Sequence, residues 1–94
     1  MAQRLTLLSN ASATGSAVTW AGGRGQFKAL GTFDGATVAL EVLGPDGSTW
    51  QPVGEDAALD AAGVANFECP PCQLRAAVTG GSSPSGLYAE AASL

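Results

Sequence analysis

Hydrophobic and polar residues alternate along most of this chain with a period of two. Segment 36–43, ATVALEVL, is the clearest example, because Val38, Leu40 and Val42 share one face and small or polar residues take the other. Segment 73–79, QLRAAVT, follows the same rhythm. Successive side chains of a β-strand point to opposite faces, so this period indicates strands with one buried face.

Turn-forming residues interrupt the alternation about every eight to twelve residues. They leave about eight strand-like segments. The segments are 3–8, 16–20, 26–33, 36–43, 48–53, 64–69, 73–79 and 86–93. This spacing predicts an all-β fold, an antiparallel β-sandwich or jelly roll of about eight short strands. We expect one domain over residues 1–94, with 1–15 as an N-terminal strand or arm.

Two segments carry some helical character. Segment 54–63, GEDAALDAAG, has acidic residues near its start and a glycine at its end, which predicts one or two helical turns between strands. The alanine-rich tail also has helix propensity. Pro84 and Gly86 precede it, however, and Leu87 alternates with polar or small neighbours, so we predict a strand there.

The motif Cys69-Pro70-Pro71-Cys72 is the stretch that most resembles a redox or metal-binding site. A redox dithiol of the thioredoxin type starts a helix, whereas this motif leads into an alternating strand. A zinc site needs four ligands, and the chain has two cysteines and no histidine. We therefore favour a rigid hairpin turn, with a local disulfide or a metal site pooled between two copies as the alternatives.

Glycine-rich and acidic turns offer no better candidate. The segment 22–26, GGRGQ, lacks the frame of a phosphate-binding loop and is interpreted as a β-turn with an exposed Arg24. Asp46-Gly47 is a hairpin signal rather than part of a calcium loop. Serine and cysteine hydrolases need an activating base, usually histidine, which is absent. We expect no enzymatic activity, no cofactor and no metal.

The composition of the chain limits the classes of partner that it is expected to bind. The net charge is −4 with four basic residues, too few for the basic patch of a nucleic-acid-binding protein. No apolar run approaches the ~20 residues of a membrane helix. Charged residues make up 13% of the chain, about half the usual share, which suits a surface partly covered by a partner.

Three stretches resemble a group of small virion proteins of tailed bacteriophages. They are GTFDGATVALEVLGPDGSTWQPV, AALDAAGVANFECPPCQLRAAVTG and PSGLYAEAASL, and the similarity covers roughly residues 30–91. The resemblance implies a small β-sandwich that decorates or cements a capsid without catalysis. The cysteine pair departs from the pattern, where a plain Pro/Gly turn is usual, so the resemblance transfers no functional residue to that joint.

We therefore expect a virion structural protein, a capsid decoration or cement protein that stabilises the phage head by binding across capsomer seams. Its partners would be the major capsid protein and further copies of itself, as a homodimer or homotrimer, with no nucleic acid and no membrane. It would be made in the host cytoplasm and end on the capsid exterior. The alternatives are a head–tail connector or tail-associated protein, and a carbohydrate-binding module using Trp20, Trp50 and Tyr88.

Contacts are expected from the chain ends, 1–15 and 80–94, and from the loops at 20–25 and 44–50. The candidate interface residues are Leu5, Trp20, Arg24, Trp50, Tyr88 and Leu94. Aromatic side chains either fill a core that is otherwise Ala, Val and Leu, or anchor a partner at the surface.

Overall fold

The computed structural model describes residues 3–94, and these form two antiparallel sheets packed face to face. Sheet A has the strand order β1-β9-β3-β7, and sheet B has the order β2-β8-β4-β5, with β6 also paired to β4. The strands are β1 (Arg4–Ala11), β2 (Val18–Trp20), β3 (Gly23–Thr32), β4 (Ala36–Leu43), β5 (Trp50–Pro52), β6 (Ala58–Leu59), β7 (Gly63–Cys69), β8 (Cys72–Gly80) and β9 (Ser85–Ser93). The predicted β-sandwich is confirmed. The first two residues of the predicted N-terminal arm lie outside the described part.

Segment 54–63 contains less helical structure than its sequence suggested. Within 54–63, Glu55–Ala57 form a single 3-10 turn, and Ala58–Leu59 then pair with β4 as a ninth short strand. Ala57, the last residue of the turn, is buried in the core. The chain therefore lies against the sandwich at this point, where Ala58 begins its pairing with β4. The prediction of a short helical turn is confirmed, but the turn is shorter than the segment that suggested it.

The core is built from the inward faces that the alternation predicted. Val38 and Leu40 of β4, Leu74 of β8 and Leu87 of β9 have no exposed surface. Side chains of both sheets join in one hydrophobic cluster. Since burying a large aliphatic side chain contributes roughly 1.5–3 kcal/mol, this cluster is what holds the two sheets together.

Strand β1 breaks the simple alternation. Its register against β9 shifts between Thr6 and Leu8, and again before Ala11. A β-bulge of this kind places two residues of one strand against one of the other. As a result the consecutive residues Leu7 and Leu8 are both buried, and Leu5 packs against the core from a partly buried position.

Two connections cross between the sheets side by side at one end of the sandwich. Residues 21–22 lead from β2 to β3, and Pro70-Pro71 lead from β7 back to β8. A Cβ atom on Gly22 would lie 2.8 Å from Cδ of Pro71, so the two crossings touch. The predicted turn between two strands is confirmed, but Pro70-Pro71 do not close a hairpin. The flanking strands pair with other partners, in different sheets.

Trp20 lies in the interior beside these crossings. Its ring is 5.0 Å from that of Phe67, between centroids, with the planes tilted by 50°. A Cβ atom on Gly25 would lie 2.7 Å from both rings, so only glycine leaves room for the aromatic pair. Among the described residues, Nε1 of Trp20 finds no hydrogen-bond partner.

Candidate interaction surface

The outward face of sheet A carries a group of exposed apolar side chains. Leu30, Val64 and Tyr88 are 55%, 57% and 46% exposed. Leu30 pairs directly with Tyr88 across β3 and β9, and Val64 pairs with Lys28, two positions from Leu30. Cross-strand and diagonal neighbours on one face lie about 5–8 Å apart, so the three side chains form one patch. We call Leu30, Val64 and Tyr88 the apolar corner.

A shallow cleft of about 190 Å³ opens beside the apolar corner. Its lining includes Thr6 and Leu8 of β1, Tyr88 of β9 and Leu30 of β3. Thr6 and Leu8 flank the register shift of β1, so the cleft lies beside the bulge. The lining is mostly apolar, which suits an aliphatic or aromatic side chain from a partner.

Lys28 and Glu90 line this cleft, and Arg4 pairs with Glu90. Nε of Arg4 donates a hydrogen bond to Oε2 of Glu90 at 2.8 Å, and Nζ of Lys28 lies 3.5 Å from Oε1 of the same carboxylate. The hydrogen bond from Arg4, helped by the two positive charges, lowers the pKa of Glu90 below its usual value. Positive and negative side chains therefore both lie beside the apolar corner, and they form ion pairs with each other.

The outward face of sheet B is arranged differently. Trp50 lies beneath Arg75, whose Cζ is 4.5 Å from the ring centroid. Arg75 also contacts Oε1 of Glu41 at 2.8 Å through both Nε and Nη2. This stack covers the largest side chain of the face and satisfies the adjacent charges within the chain.

The hairpin before Trp50 is held by one carboxylate. Asp46 accepts hydrogen bonds from the Thr49 hydroxyl at 2.5 Å and from the Ser48 and Thr49 amides at 3.0 and 2.8 Å. These bonds, led by the Thr49 hydroxyl, lower the pKa of Asp46 to about 2. Gly47 has a φ of 76°, in the left-handed region that favours glycine. The predicted Asp46-Gly47 hairpin is confirmed by the antiparallel pairing of β4 and β5.

The sequence-predicted interface residues fall in separate places. Arg24 and Leu94 meet at one end of the sandwich, where the Leu94 amide donates to the Arg24 carbonyl at 3.1 Å. The Ala21 amide donates to Oε1 of Gln3 at the same end, which brings Gln3, Leu94 and the loop at 20–25 together. Tyr88 belongs to the apolar corner.

Two of the remaining candidates turn inward. Trp20 has no exposed surface and cannot contact a partner of the folded domain. Leu5 is partly buried and packs on the core. Trp20, Trp50 and Tyr88 thus occupy the interior, the face of sheet B and the face of sheet A, so they do not form a common sugar-binding face.

Leu30 and Val64 were missed from the sequence. The sequence did contain a signal for them, because both apolar residues fall on the outward-facing, polar side of their strands. Leu30 shares the parity of Gln26 and Lys28, and Val64 shares that of Asn66 and Glu68. Apolar residues on an otherwise polar face indicate a surface patch only once the strands are placed next to each other.

The cysteine pair shows little of the chemistry of a reactive thiol. The Sγ atoms of Cys69 and Cys72 are 3.7 Å apart, and both residues are half-buried and unbonded. Burial, followed by the contact with Cys72, raises the pKa of Cys69 to about 12, which disfavours the nucleophilic thiolate. No cluster of three or more potential metal ligands occurs within residues 3–94.

Comparison with known proteins identifies no relative of this chain, so the candidate surface is interpreted from its own residues. No protein-family model, no curated protein and no solved structure matches the chain. None of the helical structure within residues 3–94 is long and apolar enough to cross a membrane.

Proposed function

We propose that the chain is a non-enzymatic structural protein of a tailed-phage virion, which decorates the capsid and stabilises the head by binding across capsomer seams. The observation that carries the proposal is the apolar corner, since contiguous exposed apolar side chains on a small domain mark an interaction surface. The resemblance of residues 30–91 to small virion proteins suggests the kind of partner. The major capsid protein is the expected occupant of the cleft.

The mechanism would be mechanical. Each fully buried apolar side chain of the corner contributes roughly 1.5–3 kcal/mol of transfer free energy, before the costs of association. One such contact is weak. Copies repeated over the shell, and linked to one another as dimers or trimers, bind together more tightly than one copy binds alone.

The charge distribution supports an outer position. The net charge is −4, and the three ion pairs of the described residues lie on outward sheet faces. A chain of this charge is repelled by packaged DNA and favoured on the outside of a shell. The paired charges around the cleft also lessen the cost of covering it.

Purified particles provide the direct test. The chain should co-sediment with virions at a constant ratio to the major capsid protein, and salt and detergent washes should leave that ratio unchanged. Recovery only as free protein in the lysate would contradict the proposal.

Copy number separates decoration from the second virion role. Decoration predicts hundreds of copies in each particle, whereas a head–tail connector or tail ring would contain only about a dozen. A carbohydrate-binding role is not supported, because its three aromatic residues lie in separate places.

A further inference from the structure

We propose that Cys69 and Cys72 form an intramolecular disulfide in oxidising surroundings, and that this bond staples the two sheets together at one end of the sandwich. This inference is independent of the virion role. It rests on the placement of the two thiols at the Pro70-Pro71 crossing.

The two sulfur atoms belong to different sheets. Cys69 ends β7 in sheet A, where it pairs with Gly23. Cys72 begins β8 in sheet B, where it pairs with Trp20. A bond between them would therefore be a covalent link across the sandwich, next to the Trp20–Phe67 pair in the core.

The approach required is small. The Sγ atoms lie 3.7 Å apart and a disulfide brings them to about 2.0 Å, so they must close by about 1.7 Å. The intervening prolines restrict φ and so limit the ways in which the thiols can separate. The contact of Pro71 with the turn at Gly22 holds the crossing from the outside.

The chemistry is thiol–disulfide exchange with a low-molecular-weight disulfide. One cysteine thiolate attacks a sulfur of the reagent and releases one small thiol, which leaves a mixed disulfide on the chain. The second cysteine then attacks the protein-bound sulfur and releases the other small thiol. Two cysteines are oxidised, the reagent is reduced to two thiols, and these carry the two protons. The raised pKa of Cys69 makes the exchange slow at neutral pH.

Oxidised glutathione is the probe. The folded chain is equilibrated with it, the remaining thiols are alkylated, and the intact mass is measured. We expect a monomer lighter by two hydrogen atoms, with neither glutathione nor alkyl group attached. The C69S and C72S variants should instead retain one glutathione or one alkyl group. Two alkyl groups, two glutathiones or a covalent dimer on the parent chain would overturn the proposal.

Melting temperature tests the staple itself. The loop that the bond closes is only four residues long, so the unfolded chain is restricted modestly and we expect a rise of roughly 5 °C on oxidation. The serine variants treated in the same way cannot form the bond and should show no rise. An unchanged or lower melting temperature of the oxidised parent would overturn the stabilising role.

Discussion

The two outward faces of the sandwich treat their large side chains in opposite ways. On sheet B, Trp50 is covered by Arg75, which is itself paired with Glu41. On sheet A, Leu30 and Tyr88 remain open beside a cleft. One face completes its interactions within the chain and the other leaves apolar surface uncovered. We therefore expect the exposed aromatic side chain of sheet A to contribute to binding, and the covered one of sheet B to contribute to stability.

The largest expected effect is on association through the apolar corner. The double substitution Leu30→Ser with Tyr88→Ser removes two apolar anchors, and we expect particle binding to fall roughly tenfold or more, since a loss of about 1.4 kcal/mol is tenfold. Quantitative co-sedimentation with particles that lack the chain measures it. Both side chains are substantially exposed, so the denaturation midpoint should change little.

Leu94→Ser is the matched control for that variant. Leu94 is 68% exposed but lies at the end with the termini, away from the corner. It should retain full binding. Loss of binding in Leu94→Ser, with the corner variant unaffected, would move the interface to the end that the sequence suggested.

The next effect is on stability through sheet B. Trp50→Ala removes both buried ring surface and the stack under Arg75, and we expect a loss of about 1–2 kcal/mol in the free energy of unfolding. Urea denaturation measures this loss. Binding to particles should remain, in contrast to the corner variant.

Arg75→Lys should lose part of the same stability, because an ammonium cannot reproduce the planar guanidinium stack and its pairing with Glu41.

The Asp46 carboxylate holds the hairpin between β4 and β5, and its contribution to the stability of the fold depends on pH. The folded pKa of about 2 lies below the usual value of 3.8 for an aspartate, so the carboxylate stabilises the fold above about pH 4. This contribution is lost as the pH falls through about 2. Asp46→Asn should therefore lower the melting temperature at neutral pH, and the difference from the parent should vanish in acid. A difference that stays constant with pH would mean that the negative charge plays no part.

The smallest effect is expected from the ion pairs around the cleft. Glu90→Gln removes the partner of Arg4 and Lys28, and because Arg4 is well exposed we expect the melting temperature to fall by only about 1–3 °C. Raising the salt concentration should reduce the difference. The lowered pKa of Glu90 means that its contribution is present near neutral pH and is lost in acid. A drop as large as that of Trp50→Ala would contradict the contrast between the faces.

Alternation predicted most of the strands and the buried faces of β4, β8 and β9, but not the bulge in β1 or the short strand β6. In β4, β8 and β9, the apolar residues that share parity with Val38, Leu74 or Leu87 are buried or pack against the core as expected. The absence of histidine was equally decisive for the chemistry that could be considered. These conclusions depend on residues that are neighbours along the chain, and the geometry of a strand is a local property.

Turn type along the chain did not reveal which strands pair. Asp46-Gly47 closes a hairpin, but Asp34-Gly35 joins strands in different sheets, although Asp34 and Gly35 both have positive φ. Pro70-Pro71 also crosses between sheets. A short turn sets the direction of the backbone locally. The partner of each strand is chosen by burial against residues that are distant in sequence.

The sequence by itself determined an all-β chain of short strands and most of their inward faces. Only the tertiary structure decided that Trp20 is interior while Trp50 is on a face. It also brought Leu30, Val64 and Tyr88, from three strands, into one patch. The physical reason is that the period of a strand follows from backbone geometry within a few residues. Adjacency depends on sheet register, which is set by packing across the whole domain.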